Sequence, residues 1–377
     1  MKKIPLIKPD LPYLEEVESQ FREIIEVGKI TNFGKYVMEF EKKISEYIGA
    51  HVATVSSGTL GLILTLQALG LKPGQKVILP SFTFMATAQA VLYAGGIPVF
   101  AEIDQDLTIS SSDLEMLLKK HEDVAIVLPV HTYGLPCRVN EIQEIVKEAS
   151  FKYSRPISIL YDAAHAFGSA IENQRVGVFG DAEVFSLSVT KVLVSVEGGV
   201  VSSINQELIE KIREMRNYGI KENYNTFRPG MNGKMSEFHA IIGLYNINRL
   251  NDLLEKRRVK AEYYIQKIKE KTNFQAPPMR DNVIHTFKDF TVITPDQLCN
   301  YRDQIVNFLK DKGIETRAYF YPPVHEQNFF KRFVNRPLPF TESISRKVIT
   351  LPFYTTISED EMDYVVETLK ESERIFS

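Results

Sequence analysis

Residues 157–203 read ISILYDAAHAFGSAIENQRVGVFGDAEVFSLSVTKVLVSVEGGVVSS. Two apolar runs of strand length stand in this stretch. Residues 157–161 end in Asp162, and residues 182–187 lead through Ser188, Val189 and Thr190 to Lys191. In an open α/β sheet, ligands are held at the carboxyl ends of the strands. A carboxylate and an amine therefore project into one crevice. Ser186 lies on the second run, and Gly198 and Gly199 let the backbone approach a ligand or another strand closely.

Electrophilic catalysis on a pyridine ring needs such a pair. A lysine amine condenses with an aldehyde to form a Schiff base, and a carboxylate beside the ring nitrogen keeps that nitrogen protonated. The ring then takes up the electrons of a carbanion. Plainer readings stand beside this one: a lysine after a buried strand is a solvated loop residue, and an aspartate there is a helix cap.

YDAAHAFG (161–168) followed by FSLSVTKVLVSVEGG (185–199) resembles the signature of the DegT/DnrJ/EryC1/StrS family of sugar-nucleotide aminotransferases. The resemblance implies pyridoxal 5′-phosphate as cofactor, a Schiff base on Lys191, and Asp162 on the pyridine nitrogen. It also implies an α/β fold of fold type I. Residues 1–250 would form a large domain with a mixed, mostly parallel sheet flanked by helices, its N-terminal segment near the substrate site. Residues 251–377 would form a smaller C-terminal α/β domain.

Composition agrees with a globular enzyme. Of the 377 residues one quarter are charged and the formal net charge is −3, which points to neither nucleic acid nor a membrane surface. Cys137 and Cys299 supply no disulfide framework and no metal-ligand cluster. No apolar run reaches spanning length and MKKIPLIKPD lacks a signal-peptide core, so a cytoplasmic protein is expected.

Outward from the central stretch, residues 11–27 predict a helix with Leu14, Val17, Phe21, Ile24 and Ile25 on one face. Asp10 would cap it, Pro12 suits its first turn, and Gly28 ends it. ITNFG (30–34) resembles the family's N-terminal loop near the substrate, and a plain helix start reads it equally well. Residues 51–74 give a short strand, then SSGT, then an apolar helix. A glycine and a hydroxyl at a helix N-terminus offer N–H groups and a positive dipole end to a phosphate; an ordinary Ser/Thr cap explains the same residues. By resemblance Gly58, Thr59 and Ser186 bind the cofactor phosphate.

Residues 75–104 follow strand–turn–helix–strand grammar. Phe84 stands where the family carries an aromatic that stacks on the cofactor ring; without the family it would be core. After a strand at 124–130, His131 is expected to be a satisfied structural histidine, because the sequence gives it no nucleophile or metal partner. Much of the family has glutamine in place of His165, contacting the cofactor's phenolic oxygen, and histidine can donate the same hydrogen bond. The DAAHAFG form resembles a branch acting on dTDP-4-keto-6-deoxyhexoses. Before the lysine the family often has His-Pro-Thr or His-Ala-Thr, so any role of that histidine has no counterpart in Ser188-Val189-Thr190.

A helix at 206–218 and a polar loop at 219–230 lead to GMNGKMSEFHAIIG (230–243), a second matching motif. By resemblance Asn232 reaches from one subunit to the phosphate in the other's site, which makes the protein a homodimer with shared sites. Its plain alternative is a loop asparagine between glycines. Ser236 opens a helical stretch reaching Ile268 that links the two subdomains. The smaller unit then offers HTFKDFTVIT (285–294), a helix at 295–312, and GIETRAYFYPPVHEQ (313–327). Arg317, Tyr319 and His325 border the sugar site in relatives; Tyr319 could equally be packing and Arg317 a surface charge. Residues 355–358 lead into a capped helix with Met362, Val365 and Val366 inward.

The reading is a pyridoxal-phosphate-dependent transaminase that moves an amino group from glutamate to a nucleoside-diphosphate-linked deoxysugar, a dTDP-4-keto-6-deoxyhexose being the expected acceptor. No metal takes part in it. Its alternatives are a sugar dehydratase, in which relatives replace the lysine by histidine, and another fold-type-I enzyme acting on amino acids. A silent nucleotide-binding module would need a Gly-x-Gly-x-x-Gly turn that the chain lacks.

Overall fold

The computed structural model describes residues 3–334 and 336–377. Its centre is a seven-stranded sheet built from β1 (His51–Val55), β2 (Lys76–Pro80), β3 (Ile97–Ala101), β4 (Val124–Val127), β5 (Ser158–Asp162), β6 (Ala182–Ser186) and β7 (Gly199–Ser203). The spatial order is β1-β7-β6-β5-β4-β2-β3. Strands β3, β2, β4, β5 and β6 pair in parallel, and only β7 runs against its neighbours β6 and β1.

Both faces of the sheet are covered, so the strands read as continuous apolar runs. Successive side chains point to opposite faces. In β5, Ile159 and Tyr161 enter one core while Leu160 enters the other. On the first face lie α1 (Leu14–Val27), α2 (Lys35–Ile48), α5 (Ser111–Lys120), α6 (Val139–Lys152) and α8 (Glu237–Asn248). The second face is covered by α3 (Gly58–Ala68), α4 (Met85–Tyr93) and α7 (Gln206–Met215).

A third core gathers the second half of α9 (Leu250–Lys271), α10 (Arg302–Asp311), the antiparallel pair β8 (Phe290–Ile293) and β9 (Val348–Leu351), and the C-terminal helix Glu359–Phe376. Ser358 caps that last helix, and Met362, Val365 and Val366 point inward. Ile4 joins this third core from the other end of the chain, bridged to Ile314, and so packs with the smaller unit.

Several boundaries differ from expectation for local reasons. Helix α1 starts at Leu14 because Leu11 precedes Pro12, which disfavours helical backbone there. Asp10 is not its cap: the carboxylate accepts from Thr355 Oγ1 at 2.7 Å. Leu14 and Ile25 stand 62% exposed, so only Val17 and Ile24 are fully buried on that helix. Strand β4 stops at Val127, two residues ahead of Pro129. The long helical stretch breaks at Arg249 between α8 and α9. A 3-10 turn, Asp296–Tyr301, precedes α10, and the polar loop 219–230 holds a short pair of strands, Ile220–Glu222 and Asn225–Thr226.

Candidate active site

A cavity of ≈ 400 Å³ opens at the carboxyl ends of the parallel strands. Its floor is made by close backbone approach. Ser57 caps α3, its hydroxyl accepting from the Leu60 N–H at 3.2 Å. The N–H groups of Gly58 and Thr59, in the first turn, have no intrahelical partner and lie at the positive end of the helix dipole. Ser186, the last residue of β6, stands beside them. Two glycines permit this: a Cβ on Gly58 would lie 3.0 Å from Ser186 Cβ, and one on Gly199 would lie 2.7 Å from both Gly58 N and the Ser57 carbonyl carbon.

Asp162 closes β5 and is buried. Its carboxylate accepts from Thr87 Oγ1 at 2.8 Å and from the Ala164 N–H at 3.1 Å; among the described residues neither donor is a cation. Burial raises its pKa. Lys191 sits on the loop after β6. That loop is fastened by the Ser195 N–H to the Leu187 carbonyl, and by buried Asn246 of α8, which donates to the Val194 carbonyl at 2.8 Å. Burial, with Lys288 adding repulsion, brings the Lys191 amine down to about 7. At neutral pH much of it is unprotonated and nucleophilic.

His165 and Tyr319 line the same cavity. Phe84, at the start of α4, lines the cavity and is 51% exposed. Thr87, Glu197, Lys288 and Asp289 also line the cavity and were not foreseen from the sequence. Lys288 and Asp289 are buried and pair at 2.7 Å. Two charges in the apolar run HTFKDFTVIT were the available signal, since charges inside such a run are buried only when paired. Thr87 gives no signal of its own in a helix of small residues.

Other expected residues lie elsewhere. Asn232 is exposed, accepts from Lys234 Nζ at 2.7 Å, and does not line the cavity. Arg317 does not line it either: its backbone bridges Thr350, and its guanidinium reaches outward to Glu315 at 2.8 Å. His325 is buried away from the cavity, because Nδ1 meets Ser81 Oγ at 2.6 Å and Nε2 meets Glu342 at 3.3 Å. The ITNFG segment lies off the cavity as well, pinned where Glu237 accepts the N–H groups of Tyr36 and Val37 at 2.8 and 3.2 Å. His131 is satisfied: Nδ1 accepts from the Cys137 N–H, Nε2 donates to buried Glu183 at 3.1 Å, and the ring stacks on Tyr161.

These residues fit pyridoxal 5′-phosphate. The α3 terminus, with Ser186, is a cradle for a phosphate dianion that a Cβ on Gly199 would crowd. Among the described residues the buried Asp162 carboxylate has no cationic hydrogen-bond partner, and a protonated ring nitrogen would supply one. Fold and site together place a buried lysine amine, a buried carboxylate and a helix N-terminus in one cavity at the carboxyl edge of a mostly parallel sheet.

The chain matches the DegT/DnrJ/EryC1/StrS aminotransferase family over residues 13–370 and belongs to it. It is 32% identical over 376 residues to dTDP-4-amino-4,6-dideoxy-D-glucose transaminase of Shigella dysenteriae, covering 98% of this chain and 99% of that protein. It is 30% identical over 379 residues to GDP-perosamine synthase of Escherichia coli O157:H7, with 98% and 99% covered. The fold superposes on the crystal structure of DesI in the presence of its TDP-sugar product with a TM-score of 0.90, at 28% identity, covering 98% of this chain and 93% of that one. The protein is an aminotransferase, and its cofactor is pyridoxal 5′-phosphate.

Proposed function

We propose that the enzyme moves an amino group from glutamate to the keto group of a nucleoside-diphosphate-linked deoxysugar, with a dTDP-4-keto-6-deoxyhexose as acceptor. The observation that carries the reading is one cavity holding an amine near neutrality, a carboxylate without a cation, and a phosphate cradle. When bound, the cofactor supplies an electron sink for a carbanion. Lys191 would hold the cofactor through its aldehyde carbon, and its neutral amine would move a proton between the donor's α-carbon and that carbon. Asp162, steadied by Thr87 and the Ala164 N–H, holds the proton on the ring nitrogen in both halves of the reaction. Phe84 offers its face to the ring, and Tyr319 stands at the wall that Lys288 and Asp289 share. The names of the Shigella transaminase and of DesI's TDP-sugar product support a thymidine-linked acceptor.

The working form in this reading is a homodimer with shared sites, in which Asn232 serves the partner's phosphate. Leu14, Ile25, Val27 and Met38 are exposed on α1 and α2, as are Phe227 and Met231 near Asn232, which suits a covered face. A division near residues 250 and 251 is supported by the break at Arg249 and by the separate third core.

A panel of nucleotide-linked keto sugars incubated with glutamate, with 2-oxoglutarate as readout, tests the substrate. Turnover of the dTDP-linked 4-keto-6-deoxyhexose above the rest is expected. Preference for a GDP-linked sugar reassigns the nucleotide, and turnover of keto acids alone refutes the sugar. Mixing Lys191→Ala with Asn232→Ala protomers tests the shared site. Hybrids should regain activity toward half, and no recovery after verified exchange would put Asn232 outside the partner's site.

A further inference from the structure

We infer that Asp289 is a positioning residue: clamped by Lys288 through one oxygen, it offers the other to Nδ1 of His165 and so decides which ring nitrogen carries the proton facing the cavity. Asp289 Oδ1 accepts from Lys288 Nζ at 2.7 Å. Asp289 Oδ2 lies 3.7 Å from His165 Nδ1, and among the described residues both buried atoms lack a hydrogen-bond partner. The separation is about half an ångström beyond a hydrogen bond, and pairing the two atoms is what removes both unsatisfied groups.

Both residues are anchored through their backbone, so closing the remaining half ångström falls to side-chain rotation. The His165 carbonyl accepts from Thr286 Oγ1 at 2.8 Å, and its ring lies against Phe320 with centroids 6.3 Å apart and planes 22° apart. The Lys288 N–H donates to the Tyr133 carbonyl at 2.9 Å. The titratable groups lining the cavity and its wall are Asp162 at the end of β5, Lys191 and Glu197 after β6, Tyr133, Tyr319, and Lys288 with Asp289 ahead of β8. Lys191 and Lys288 reinforce burial in holding the imidazole well below its ordinary value, so it is neutral.

A carboxylate beside one nitrogen of a neutral imidazole selects the tautomer protonated there. With Nδ1–H aimed at Asp289, Nε2 presents a lone pair to the cavity. His165 is then an acceptor, the opposite of the donor role that a glutamine at this position would play. The consequence for the cofactor rests on the proposed contact between His165 and its phenolic oxygen. An acceptor there favours a protonated oxygen, whereas a donor favours the anion.

Asp289→Asn replaces the carboxylate by an amide whose N–H can donate to Nδ1, which moves the histidine proton to Nε2. Two readouts test this, the first on cofactor-free protein. Imidazole 15N NMR of histidine-labelled enzyme, with the signal assigned through His165→Gln, should show Nδ1–H in the parent and Nε2–H in Asp289→Asn. The second is the pH titration of the bound-cofactor absorbance in the parent, Asp289→Asn, His165→Gln and the double variant. The Asp289→Asn midpoint should move toward that of His165→Gln by about half a unit or more, and Asp289→Asn should add no comparable shift to His165→Gln. An equal shift in both backgrounds would be the bare field of a lost charge, and overturns the inference. So does an Nε2–H tautomer in the parent. A tautomer change with no change in absorbance leaves the Asp289–His165 pair standing and overturns the cofactor contact. Should Lys288, left unpaired, prevent Asp289→Asn from folding, Lys288→Met/Asp289→Asn removes both charges and takes the same two readouts.

Discussion

Gly199→Ala tests the phosphate cradle by geometry alone. The new methyl carbon would lie 2.7 Å from Gly58 N, the Ser57 carbonyl carbon and the Ser57 carbonyl oxygen, all backbone atoms that no rotamer change can move. Contact between such atoms is comfortable near about 3.5 Å, so the α3 terminus must retreat by about 0.8 Å. Overpacking of this kind costs about 1–3 kcal/mol. The same displacement carries the Gly58 and Thr59 N–H groups away from the phosphate. Losing even one hydrogen bond to a charged group, about 1.5–3 kcal/mol, weakens binding by roughly 10- to 100-fold. Absorbance titration of cofactor-free enzyme with pyridoxal phosphate measures this, alongside thermal unfolding of the same protein. Gly28→Ala is the control: its φ of +72° strains a side chain but nothing lies within 4 Å, so stability falls and affinity does not. Refutation would be a folded Gly199→Ala enzyme binding the cofactor within about twofold of the parent, a difference of about 0.4 kcal/mol.

Asp162→Asn should keep the cofactor bound while turnover falls by about two orders of magnitude, because an amide cannot hold the ring nitrogen protonated; turnover within a few-fold of the parent would reduce Asp162 to a structural role. The depressed Lys191 value also makes a stability prediction. Between about 7 and 10.5 the unfolded chain binds the lysine proton more tightly than the folded one. Stability of the cofactor-free enzyme therefore gains from this group as pH rises through that window, by at most about 1.4 kcal/mol per unit. Denaturant unfolding at stepped pH, with Lys191→Met as the comparison that lacks the slope, checks the sign. Lys288→Met removes a cation that lowers Lys191, so the pH midpoint for cofactor capture by the free enzyme should move up. A midpoint that stays in place or falls would put Lys288 outside the field of that amine.

The sheet and the heart of the site were legible because both rest on local pattern. The mainly apolar runs at 157–161 and 182–187 have strand length, and the polar residues following them fall at the carboxyl edge once they are strands of an open sheet. Gly199 was readable as a close approach and Gly58 as a helix N-terminus, although not that they approach each other, since the β1–β7 pairing joins residues far apart in sequence. What the sequence hid came from tertiary placement. Lys288 and Asp289 had no site role in the sequence reading, because only the placement of β8 brings them to Lys191 and His165. His325 read as a site residue, yet Ser81, 244 positions away in sequence, holds its ring. Leu14 and Ile25 fit a helical stripe wider than the face α8 covers, which leaves them in solvent within one chain.

The account stands on Lys191 as the residue that bonds the cofactor. Borohydride reduction of the enzyme loaded with pyridoxal phosphate, followed by proteolysis and peptide mass mapping, tests this directly. The phosphopyridoxyl group is predicted on Lys191 alone, with Lys288 unmodified although it lines the same cavity. A label on Lys288, or none on the peptide that carries Lys191, would contradict the account.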